Sequence, residues 1–245
     1  MDPDDPDIDA LFAPLPPAAA FGVVLSEARE VLPKVREPID AELWGSDMIG
    51  ALGSSVGDEA DVMATLTTSL VPFAEETGTP EALALLRIFG AIGSPDLRAA
   101  ATQAAQRVAA RDVPDASWAA AIGSPRVGPC WHYADVGGRQ ESVTMTFGYG
   151  ESEHALSVLI DHGQGGGIKD AWVRDAAGLL DQTWLAAEND PLVVFERLDS
   201  AQAAKRLEQA ITADECPEKP DQADDVNAHR ALLRARVRFV AAQAS

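Results

Sequence analysis

The chain has 245 residues, 47% of them hydrophobic, and 39 acidic residues against 19 basic ones give a net charge of -20. Such a composition excludes a disordered chain and supports one large core or two modest ones, and the charge opposes broad binding to nucleic acid or to an anionic membrane. The longest apolar stretches, such as LPPAAAFGVVL, fall far short of the roughly 20 residues that span a bilayer.

Residues 1–16, opening MDPDDPDIDA, are acidic and proline-rich and read as a flexible tail with no secretory signal. A cytoplasmic protein with two free thiols, Cys130 and Cys216, is therefore expected. Residues 17–125 form a helical region. FGVVLSEAREVL places Phe21, Val24, Leu25, Ala28 and Leu32 at helical spacing. DAELWGSDMIGAL and GDEADVMATLTTSLVPFAEE continue the pattern, the latter with acids near its start, where they suit the helix dipole. Thr79-Pro80-Glu81 and Ser94-Pro95 each supply a capping hydroxyl followed by a proline, which predicts two further helix starts. Five helices with short joints suggest a bundle. AIGSP occurs at 91–95 and again at 121–125, but the flanks differ, so it reads as a reused stop signal rather than a duplication.

The texture changes over 126–213, which reads as an α+β region. Trp131 and Tyr133 stand two apart, ESVTMTFGYG alternates Val143, Met145 and Phe147 with Ser142, Thr144 and Thr146, and ALSVLID comes after a short turn. These predict an antiparallel meander. Residues 168–185 return to helical spacing, PLVVFERL suggests a fourth strand, and DSAQAAKRLEQAI an amphipathic helix. The acidic stretch 214–225 reads as a linker, and 226–245 as a basic helix with Arg230, Arg234 and Arg238 on one side. The fold class expected is α+β: an N-terminal bundle-like helical region packed with a small antiparallel sheet flanked by helices.

LIDHGQGGGIKDAWV is the stretch richest in chemical side chains. His162 as a base, oriented by Asp170 across the glycine turn, is the sharpest catalytic arrangement, with Asp161 as an alternative acid, a metal ligand or one of the ligand-binding residues of the loop. Gly165, Gly166, Gly167 and Lys169 suggest an anion or oxyanion grip if a helix starts there. The spacing fits neither a P-loop nor a dinucleotide fingerprint. On the structural alternative, Asp161 caps a turn, His162 makes an ordinary hydrogen bond and the glycines supply positive φ. Cys130, His132, His154, Asp161 and His162 crowd one region without a compact metal motif, so neither a metal nor a cofactor is expected. Glu141, Glu151 and Glu153 read as solvated turn acids.

ALSVLIDHGQGGGIKDAWV and EPIDAELWGSDMIGAL together resemble conserved hypothetical proteins of high-GC actinobacteria, over about 35 of the 245 residues. The resemblance implies no activity and no site residue. The leading functional expectation is a protein-interaction or accessory module. It would act through Arg230, Arg234 and Arg238 of the C-terminal helix, either on an acidic partner or on a second copy, and not on a membrane or nucleic acid. The alternative is a small-ligand-binding protein or hydrolase centred on the Asp161-His162 loop.

Overall fold

The computed structural model describes residues 17–56, 59–214 and 224–243. The stretch read as a tail, all but the ends of the stretch read as a linker, and Cys216 lie outside the described residues. Helix α1 (Pro17–Val31) ends in a tight turn at Leu32–Lys34 and is followed by α2 (Pro38–Val56). Helix α3 (Glu59–Thr65) passes through one wide turn at Leu66–Leu70 into α4 (Val71–Thr77). That wide turn lies just before Pro72, whose ring and missing N–H break the ordinary hydrogen-bond ladder. Helices α5 (Pro80–Ile92) and α6 (Pro95–Ala109) start where the caps predict: the Thr79 and Ser94 hydroxyls accept from the amides of Ala82 and Leu97.

Five strands come next: β1 (Arg126–Asp135), β2 (Gln140–Tyr149), β3 (Ser152–Asp161), β4 (Gly167–Asp175) and β5 (Val193–Leu198). They lie in the order β4-β3-β2-β1-β5, every neighbouring pair antiparallel. Helix α7 (Ala176–Glu188) connects β4 to β5, and α8 (Ser200–Asp214) and α9 (Asp224–Gln243) complete the chain. The alternation in β2 holds. Val143, Met145 and Phe147 face a core built with Leu156, Val158 and Ile160 of β3 and closed by α8 and α9. On the opposite face Thr144 bonds Ser157 at 2.8 Å, and the Thr146 hydroxyl donates to the Pro129 carbonyl at 2.7 Å. No helix among the described residues is long and apolar enough to cross a membrane.

One element differs from the sequence reading. Residues 168–175 are strand, and the helix begins only at Ala176. The register shifts between Leu159 and Ile160, so Ile168 pairs with Ile160 and Ala171 with Val158 on the same face. A bulge thus sets apolar residues three apart on one side of a strand, which mimics helical spacing.

The C-terminal helix departs further from expectation. Ala231, Leu232 and Ala235 of α9 belong to the core of the helical region, and Val226, Leu233, Val237 and Val240 to the core beneath the sheet. Its backbone comes so close to α2 that a Cβ on Gly50 would lie 2.5 Å from the Asn227 carbonyl oxygen. Arg230, Arg234 and Arg238 are consequently half-buried rather than displayed. Arg230 lies 3.5 Å from Asp214, and Arg238 donates to the Gly93 carbonyl at 2.7 Å. Between the two cores Arg236 of α9 meets Glu42 of α2, both fully buried. Nη2 is 2.5 Å and Nη1 3.2 Å from the carboxylate, which also accepts from the Tyr149 hydroxyl (2.8 Å) and the Gly123 amide (3.1 Å).

Candidate functional site

The glycine loop is built as a turn. Strand β3 ends at Asp161, His162–Gln164 make one tight helical turn, and Gly165 (φ 89) and Gly166 (φ 75) adopt the left-handed region that leads into β4. The Asp161 carboxylate accepts from the Gly163 amide at 2.9 Å and from the Gln140 side-chain amide at 3.1 Å. Gln140 first, then the Gly163 amide and Lys169, hold that carboxyl below its usual range despite some desolvation. Lys169 Nζ stands 3.9 Å from it. The Gly165 amide donates to the His162 carbonyl (3.4 Å) and the Gly166 amide to the Asp161 carbonyl (2.9 Å), so both are engaged within the turn. Gly167 already lies in β4, opposite Asp161, and no helix starts here to add its dipole. The geometry at Asp161, Gly165 and Gly166 is therefore that of the capped turn.

His162 and Asp170 are not brought together. Asp170 sits opposite Leu159, on the sheet face that also carries Trp172 and Arg174, and its carboxylate accepts from the Ala171 amide at 2.8 Å. With Trp172, Arg174, Asp175, Gly178, Leu179 and Gln182 it lines a cavity of about 570 Å³ beneath α7. His162 turns to the other face, where its Nε2 lies 3.0 Å from Glu141. The separation results from the bulge in β4: plain alternation would put Asp170 on the face of Ile168, and the register shift turns it to the face of Trp172 instead.

Glu141 is the hub of this end of the sheet. In β2 it shares the parity of Val143, Met145 and Phe147, which carries its side chain to the face covered by α8. Its Oε2 is 2.7 Å from His132 Nε2 in β1 and 2.5 Å from Arg206 Nη1 in α8, while Oε1 takes the His162 contact. His132 Nε2 is also 3.0 Å from Arg206 Nη1, and its Nδ1 is 3.5 Å from Glu196 of β5. Read as a solvated turn acid from sequence, Glu141 is instead one of the least exposed carboxylates at the sheet. Its parity with the apolar residues of β2 was the available signal. Cys130, on the same face of β1, packs opposite Met145, and burial pushes its thiol up to about 11, which makes it a core residue rather than a nucleophile.

Burial alone would push the Glu141 carboxyl up, but hydrogen bonding from His162, then the charge of Arg206 and the His132 bond, outweigh it and lower the value. A carboxylate lowered on folding stabilises the protein above its ordinary value, and that contribution is lost as pH falls through the folded value. Glu141→Gln is therefore expected to be less stable than wild type at pH 7. The gap should narrow below the ordinary glutamate value of 4.5. Urea midpoints of both proteins across this range measure it, and a gap independent of pH would reject the charge assignment.

Chemically, the cluster orients His162, which remains 45% exposed, and leaves its Nδ1 near Gly166. A cavity of about 710 Å³ lies nearby, walled by Asp135, Arg139, Gln140, Asp161, Gln164 and Leu192 among others; neither Glu141 nor His162 lines it. No group of three or more His, Cys, Asp or Glu among the described residues is placed to hold a metal ion. The chain matches no family model, no curated protein and no solved structure.

Proposed function

We propose that this chain is a protein-interaction module whose docking face is α7 together with the outer edge of β5. The observation that carries this is the exposure of large apolar side chains there: Trp184 55%, Leu185 58% and Leu192 63%. Val136 is exposed as well and extends the patch, its amide donating to the Leu192 carbonyl at 2.9 Å. Single exposed apolar residues need no explanation, whereas a contiguous group marks an interaction surface. Strand β5 pairs with β1 and ends the sheet, so its outer backbone groups are open to a further strand. Beneath it Phe195 stacks on Trp131 at 5.1 Å, with Arg197 over the same indole, which gives the edge a rigid aromatic floor.

Charge selects the partner. Residues 176–192 contain Asp181, Glu188 and Asp190 and no base, in a chain of net charge -20. A second copy would bring the same acids face to face; a basic segment carrying apolar side chains is complementary. The alternative of a hydrolase or small-ligand site has the His162–Glu141 contact in its favour. Against it stand the engaged amides of Gly165 and Gly166 and the remote Asp170.

Photo-crosslinking side chains at positions 185 and 192, introduced into the full chain in its native cells, test the proposal. A discrete adduct at both positions, absent when the crosslinker replaces exposed Gln103 on α6, is the expected result. The adduct should contain a basic segment. Adducts that do not differ among the three positions, or none at all, would overturn it.

A further inference from the structure

Three arginines gather where α5 hands over to α6. Arg98 lies in the first turns of α6, and Arg234 and Arg238 stand one turn apart on α9. The hydrogen bond from Arg238 to the Gly93 carbonyl, 2.7 Å long, pins its guanidinium at that joint. Burial first, then the charges of Arg98 and Arg234, pull Arg238 below its ordinary value. Among the described residues no carboxylate lies within ion-pair distance of Arg98 or Arg238. In a chain with 39 acids and 19 bases, that is an unusual use of positive charge.

Arg98 also lines a cavity of about 270 Å³ between α5, α6 and the turn at 119–124, with Arg87, Thr102 and Ser124 on its wall. Arg87 is already held by Asp115 through two contacts, at 3.1 and 2.7 Å. The Thr102 and Ser124 hydroxyls make no hydrogen bond among the described residues. Among the described residues the cavity is thus a small recess with one uncommitted fork of donors and two hydroxyls without a hydrogen bond, and Arg238 stands close enough to Arg98 to feel its charge.

We propose that this recess binds a small tetrahedral oxyanion, inorganic phosphate or the phosphate of a monoester, received by Arg98, Thr102 and Ser124 with Arg238 adding positive potential. A planar guanidinium offers paired N–H donors that match two phosphate oxygens. The volume lies below the usual range of about 300–1,000 Å³ for organic ligands, so the phosphate group rather than a large ligand body is recognised. The net charge of the chain does not prevent this. Charges beyond about 10 Å are largely screened at 0.1 M salt, and of the carboxylates beside the recess Asp115 is paired with Arg87 and Glu42 with Arg236.

Calorimetric titration of the full chain with inorganic phosphate and with methyl phosphate, at ionic strength fixed with sodium chloride, tests the site. Saturable binding to wild type is expected, weakened about tenfold or more in Arg98→Gln through loss of charge-assisted hydrogen bonds. Arg98→Lys should fall between them, because it keeps the charge and loses the fork. Arg139→Gln, which removes an exposed charge on the β1–β2 turn, should bind like wild type. Arg98 is exposed, so its variants should keep the wild-type circular dichroism and melting temperature without ligand. Tighter binding of methyl phosphate would assign the monoester; equal binding would assign the free anion. No saturable heat with either, or an Arg98→Gln isotherm equal to wild type, would overturn the proposal.

Discussion

A chain ending at residue 223 is expected to lose cooperative folding in both its helical region and its sheet. Helix α9 supplies Ala231, Leu232 and Ala235 to one core and Val226, Leu233, Val237 and Val240 to the other. Full burial of a Val or Leu contributes about 1.5–3 kcal/mol, so the larger of these side chains together contribute on the order of 10 kcal/mol. The net stability of a domain is roughly 5–15 kcal/mol, a sum of the same size. Removing the helix also strips the covered face of β4, against which α9 packs, and leaves Glu42 without Arg236. Near-ultraviolet circular dichroism and thermal unfolding of the truncated chain give the answer. A native-like aromatic spectrum with a cooperative transition would show that α9 is an appendage. The sequence reading of that segment, a docking helix at the surface, predicts that second outcome.

Arg236→Met is expected to cost about 3–5 kcal/mol, because it leaves the Glu42 carboxylate buried without its counter-charge. The remaining donors to Glu42, the Tyr149 hydroxyl and the Gly123 amide, are neutral and offset only part of the lost attraction. His154 cannot replace the arginine. Burial first, and then the Arg236 charge itself, push its value down to about 3, so it is neutral in the native protein near pH 7. Its imidazole stacks between Phe147 and Tyr149, and Arg236 lies over both rings. Truncating the arginine therefore also removes packing from the boundary between the cores. The double variant Glu42→Gln with Arg236→Met should be more stable than Arg236→Met alone, since glutamine still accepts from Tyr149 and Gly123 and carries no charge. Equilibrium urea unfolding of the wild type, both single variants and the double variant measures the coupling. Strict additivity of the two losses would mean that Glu42 and Arg236 act separately.

Where local chemistry decides structure, the sequence was legible. Thr79-Pro80 and Ser94-Pro95 specify helix starts because a hydroxyl and a proline satisfy the first turn without any distant partner. The β2 alternation specifies a strand with one buried face, and Asp161 with its neighbouring glycines specifies a capped turn. AIGSP ends helix α5 in its first copy, whereas the second copy follows turns rather than a helix, and the two open onto different elements: α6 after Ser94 and β1 after Ser124. In the second copy the Gly123 amide reaches Glu42, a contact 81 positions away. A polar residue amid the buried Ile39, Ala41 and Ile49 of α2 was the visible hint of a distant partner, and its identity was not visible.

Composition and local pattern by themselves determined the α+β class, the helical first half, the meander and the turn at 161–167. The tertiary structure decided the rest. It placed Glu141 between His132, His162 and Arg206, turned Asp170 to the opposite face through a bulge, and drew α9 inward to join Arg236 to Glu42. Periodicity reports which side of an element is apolar, and caps report where it starts and stops. Neither reports which distant element covers that side, and the fate of a charge depends on that cover: in water Arg236 would be one more surface base, whereas between two cores it is stable only because Glu42 is there.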